Sequence, residues 1–84
     1  VRYTVVWERV AQMQLAACYN AAAVPNAVAA AQHRIDQLLR VSPLLNADIL
    51  SEGLYSLDVL PLRILFEVND DDCLVRVAGV SLLP

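Results

Sequence analysis

The residue in this sequence best placed to do chemistry is Arg63. It stands within Leu62-Arg63-Ile64-Leu65-Phe66-Glu67-Val68, where strict alternation puts Leu62, Ile64, Phe66 and Val68 on one strand face and Arg63, Leu65 and Glu67 on the other. A guanidinium on an open sheet face can fork onto a phosphate or a carboxylate. It can equally lie solvated, or pair with Glu67, which two-residue periodicity places on the same face. Both readings stand at this point.

Other reactive groups are isolated. Asp70-Asp71-Asp72 suggests calcium, but a calcium loop needs alternating oxygen ligands, a glycine and a distal bidentate glutamate, and none follows. The run reads as a hairpin turn. His33 has no carboxylate four residues away and no cysteine partner, so it reads as a surface histidine and not a base or ligand. Ser42, Ser51, Ser56 and Ser81 lack the strand-turn-helix context of a nucleophilic serine. Cys18 and Cys73 are 55 residues apart with no Cys-x-x-Cys, which reads as two small buried thiols in a reducing compartment. Trp7 reads as a core anchor. No metal and no cofactor is expected.

Several elements must position these groups. Tyr3-Thr4-Val5-Val6-Trp7 is β-branched and aromatic, which predicts a first strand. From Glu8 the period lengthens to place Ala11, Leu15, Cys18 and Ala22 on one stripe, predicting a helix over about 8–22 with Glu8 at its positive end. Val24-Pro25-Asn26 breaks it. A second helix over about 26–41 puts Val28, Ala31, Ile35, Leu38 and Leu39 on one face and ends at Ser42-Pro43. Residues 44–53 read as a linker, 54–60 as a second strand, 62–68 as a third and 73–80 as a fourth paired with it across the acidic turn. The expected fold is α+β: a two-helix antiparallel hairpin packed on a curved, mainly antiparallel four-stranded sheet, in the order strand-helix-helix-strand-strand-strand. Leu62, Ile64, Phe66 and Val68 should meet Leu15 and Ile35 in its core.

Composition bounds what such a fold could do. The chain has 84 residues, enough for one core and so one domain over 1–84, and 58% of them are hydrophobic, which excludes disorder. Ala, Leu and Val dominate that fraction, so a chain this short and apolar should cover part of its surface with another protein. Six arginines and no lysine face nine acids, for a net charge of −3. Residues 51–84 carry only Arg63 and Arg76 against six acids. That balance disfavours RNA or ribosome binding by counterion release and excludes a basic membrane-surface helix. No apolar run reaches the about 18 residues of a membrane span, and no signal peptide is read at the start, so a cytoplasmic location is expected.

Pro61-Leu62-Arg63-Ile64-Leu65-Phe66-Glu67-Val68, an acidic turn and Leu74-Val75-Arg76-Val77-Ala78-Gly79-Val80 together resemble the RelE/ParE superfamily of bacterial toxins. The family's pattern here is an apolar-Arg-apolar-apolar-aromatic-x-Val strand, a turn, and a Val-x-Val-x-x-Val strand. Tyr3 to Glu8, Ala11, Leu15, Ile35-Asp36, Leu39 and Pro43 extend the resemblance over nearly the whole chain.

The resemblance implies a toxin of a type II toxin-antitoxin module, of the kind called plasmid stabilisation proteins, neutralised by a cognate antitoxin that wraps its helices and an exposed sheet edge. The implied target- or antitoxin-binding residues are Arg63, Arg76, Glu67, Leu82 and Leu83. The messenger-RNA-cleaving branch needs several basic groups around the sheet, and of those positions only Arg63 matches. Leu54, Ser56 and Asp58 stand where that branch carries lysines, Leu82-Leu83 where it carries arginine, and the tyrosine-bearing segment would follow Pro84. The ParE-like branch, which binds DNA gyrase, fits better, so an enzyme is not the preferred expectation. The alternatives are a ribosome-dependent endoribonuclease using Arg63 with Tyr55 near the substrate, and a catalytically silent antitoxin-binding or homodimeric module.

Overall fold

The computed structural model describes residues 2–84; Val1, the first residue of the expected domain, lies outside them. The order is β1 (Thr4–Trp7), α1 (Arg9–Ala21), α2 (Pro25–Val41), β2 (Asp48–Ser51), β3 (Leu54–Val59), β4 (Leu62–Asn69) and β5 (Leu74–Leu82). They form an α+β structure whose sheet runs β1-β5-β4-β3-β2. Among the described residues only β1 and β5 pair in parallel.

Each helix forms where the sequence places its breaks. Glu8 occupies the N-cap position of α1 in extended backbone, and its side chain makes no capping bond. Gln12 Nε2 instead donates to the Trp7 carbonyl at 2.8 Å. Pro25 opens α2, where its missing N–H would have no helical partner, and holds Val24 extended. Val28, Ala31, Ile35 and Leu39 are the buried stripe of α2, and Ala11 and Cys18 that of α1, with Leu15 partly buried between them. Both stripes lie on one sheet face, where Leu57, Leu62, Ile64, Phe66, Val75, Val77 and Val80 complete the core.

Among the described residues the sheet has five strands, not four. The segment read as a linker contains β2, which pairs antiparallel with β3 through the Glu52-Gly53 turn. Gly53 has φ +78°, a conformation other residues enter only at a cost. All four β2 side chains are exposed, so no buried alternation marks the strand.

The expected hairpin of the last two strands is present, with one irregularity. Leu65 opposes Gly79 but Phe66 opposes Val77, so Ala78 is an extra residue. This bulge flips the parity of β5, returning Val80 to the core face that Val75 and Val77 occupy. Beyond the bulge, Val80 N–H is bonded at 2.8 Å by Gln14 Oε1 of α1. The outer edge of β5 is therefore held by β1 in its first half and by a helix side chain in its second.

Candidate functional site

The face of the sheet opposite the helices carries the charged residues. On β3 and β4, Asp58 lies directly opposite Arg63 because the two strands join through a two-residue turn, Leu60-Pro61, with a cis peptide bond. Arg63 Nε donates to Asp58 Oδ1 at 2.8 Å and Nη2 to Oδ2 at 3.1 Å, a fork-to-fork pair. The bond from Arg63 holds the Asp58 carboxyl below the ordinary carboxylate range, against a smaller opposing effect of burial. The same bond, with a lesser contribution from Asp48, raises the Arg63 guanidinium. Arg63 is thus neither solvated alone nor paired with Glu67.

Four residues further along β4, Glu67 opposes Arg76 of β5. At the usual strand rise the two arginines sit about 14 Å apart. Arg76 Nε lies 3.6 Å from Glu8 Oε1, at the junction of β1 and α1. Glu67, Asp70, Asp71 and Arg76 share the lining of a cavity of about 550 Å³ with Gly53, Val68, Asn69 and Leu74. Three carboxylates to one guanidinium make this hollow anionic, and so a poor seat for a polyphosphate chain.

The acidic turn itself is internally bonded. Asn69 Oδ1 accepts from the Asp72 backbone N–H at 3.1 Å, Asn69 Nδ2 donates to Asp72 Oδ2 at 3.0 Å, and Asp70 Oδ1 accepts from Tyr3 O–H at 2.9 Å. The last of these bonds raises the Tyr3 hydroxyl pKa and ties the turn to the chain entering β1. Among the described residues no group of three or more His, Cys, Asp or Glu is arranged to hold a metal ion. Cys18 is buried, and burial pushes its thiol pKa up. Cys73, expected to be buried, is only half-buried, because it closes this turn with φ 48°. His33 is exposed on α2. Trp7 is partly buried against the core, and its Nε1 donates to Asp36 Oδ1 at 3.4 Å while Arg40 holds Oδ2 at 2.7 Å.

The expected site residues do not come together. Arg63, Glu67 and Arg76 share the open face. Tyr55 lies on the other face, its ring 5.8 Å from that of Phe66 between centroids, so the geometry does not place it beside Arg63 as a nuclease would require. Leu82 and Leu83 form a third location. They line an apolar hollow of about 450 Å³ with Leu60, Pro61 and the Ala21–Val24 segment joining the helices. The partner that sequence reasoning missed is Asp58. The signal was available, since a two-residue turn at Leu60-Pro61 puts residues 58 and 63 opposite each other.

No helix among the described residues is long and apolar enough to cross a membrane. No protein-family model matches the sequence, and no curated protein matches it. Solved structures do. A chain of the RelBE2 toxin-antitoxin complex from Mycobacterium tuberculosis superimposes with a TM-score of 0.81 at 24% identity, over 98% of this chain and 99% of that one. The isolated RelE toxin of E. coli gives 0.70 at 12% identity, over 98% of this chain and 85% of that one. A chain of the intact E. coli RelBE toxin-antitoxin complex gives 0.70 at 15%, over 98% of each. The element order, the sheet and the helix hairpin all match, so this chain has the RelE toxin fold, as its strand signature implied.

Proposed function

We propose that the chain, as one domain over 1–84, is the toxin component of a type II toxin-antitoxin module, acting in the cytoplasm by binding a protein target and neutralised by a cognate antitoxin. The observation that carries the toxin reading is likeness of fold along nearly the whole length of both chains at a TM-score of 0.81. Two of the three structures are toxin-antitoxin complexes, which is the support for an antitoxin partner.

Charge on the open face favours binding over cleavage. A nuclease must stabilise negative charge on the scissile phosphate with preorganised cations. Here Arg63 is engaged by Asp58, Arg76 lies beside Glu8, and the adjoining hollow is lined by Glu67, Asp70 and Asp71. The ParE-like reading therefore makes DNA gyrase the candidate target, with Arg63, Arg76, Glu67, Leu82 and Leu83 as candidate contacts.

Gyrase supercoiling with added protein is the test. Inhibition at stoichiometric excess, relieved by the protein encoded next to this chain, is the expected result; full supercoiling would remove gyrase as target. The RelE-like reading has the same fold in its favour. Ribosome-dependent cleavage of a reporter RNA, abolished by Arg63→Ala, would establish it in place of ours.

A further inference from the structure

The Asp58–Arg63 pair has a consequence for what the open sheet face accepts. Arg63 presents the fork that suits a phosphate, but two of its five N–H donors are already directed at a carboxylate of the same bidentate shape. The carboxylate is held by the backbone and not by chance: Asp58 and Arg63 are opposite each other in the β3–β4 register. Asp48, across from Ser56 on the next strand, adds further negative charge near the guanidinium. Both members are about half exposed, so an incoming anion can reach the pair but must displace Asp58 and tolerate its charge.

We propose that Asp58 is a built-in competitor for the anion fork of Arg63, and that this one residue makes the open face select against phosphate-bearing ligands. The inference deepens the reading of that face as a protein-binding surface and rests on it. An exposed ion pair discriminates modestly, holding its partners by a factor of about 1.4 to 5. Inorganic phosphate should therefore bind Asp58→Asn about 1.4 to 5 times more tightly than the unaltered chain.

The experiment titrates inorganic phosphate into the full chain at fixed ionic strength and follows the backbone amide resonances of β3 and β4 by NMR, which every variant retains. Asp58→Asn and Asp58→Ser should both show the gain, so a folding defect in one does not decide the matter. Adding Arg63→Gln should abolish it. Asp71→Asn removes the same charge at least about 20 Å along the sheet, beyond the screening length, and should leave phosphate affinity unchanged. Unchanged affinity in both Asp58 variants, an equal gain in Asp71→Asn, or a gain that survives Arg63→Gln would each overturn the proposal. Gyrase and antitoxin are absent from this assay, so its failure and a failure of the supercoiling test are separate results.

Discussion

Phe66 is fully buried and its ring lies tilted against that of Tyr55, so it concentrates the apolar burial of β4 in one side chain. Phe66→Ala should lower unfolding free energy by about 3–5 kcal/mol in a denaturant titration, the range for an aromatic core deletion; a near-zero change would mean the wrong face of β4 had been assigned to the core. Asp58 makes the opposite kind of commitment, electrostatic and exposed. Its carboxyl is held low first by the hydrogen bond from Arg63, so the pair adds stability above the unfolded carboxylate pKa and loses it as pH falls through the lower folded value. Arg63→Ala should move the Asp58 titration, followed by NMR, up towards the ordinary range and weaken the pH dependence of stability there. The stability effect should be small because solvent screens the pair. An unmoved Asp58 titration would show that the pair is not populated in solution. Alternation along 62–68 was enough to put Phe66 inside and Arg63 outside. It could not name Arg63's partner, because that depends on how β3 aligns with β4.

Strand β5 shows how an element can be legible and still need help from another. The spacing Val75-x-Val77-x-x-Val80 steps by two and then by three, which is the trace of the bulge at Ala78. What the spacing does not reveal is who satisfies the backbone on the outer edge after β1 ends. Gln14 does so, from 66 residues away in sequence. Gln14→Ala would leave the part-buried Val80 N–H without its acceptor, at a cost of about 1–3 kcal/mol. Hydrogen exchange at the Val80 amide should accelerate with it, and Gln14→Glu, which keeps an acceptor oxygen, should recover most of the loss. Equal stability in the alanine variant would mean that another acceptor or water replaces the glutamine. Strand β2 marks the limit of pattern reading. Ile49 and Leu50 are 76% and 52% exposed, so their apolar character records no burial and the segment reads as linker. Only the two-residue Glu52-Gly53 spacing ahead of Leu54 signalled a hairpin.

The whole molecule was legible as an α+β layer because the change of period from two to 3.6 and back is set by the backbone itself. The division of the expected site residues among the open face, the core and the Leu82-Leu83 hollow was not, because it depends on how the layers stack. That stacking leaves Val10 and Met13 of α1, Ile49 and Leu50 of β2, and Leu60 at the β3–β4 turn exposed. A chain of 84 residues has little surplus stability, and exposed apolar groups on both helix and sheet edge give a partner much to bury. A protein that binds only the folded form stabilises it by about 2.7 kcal/mol at a hundred times its dissociation constant. For a domain of this size that corresponds to a rise in Tm of about 10–20 °C. Calorimetry of the chain with the protein encoded beside it should show that rise, while Tm of the chain alone stays constant on dilution. A homodimeric module makes the reverse prediction, since its Tm climbs with its own concentration and ignores the neighbour. That outcome would assign the exposed apolar residues to a second copy of this chain and overturn the proposed antitoxin partner.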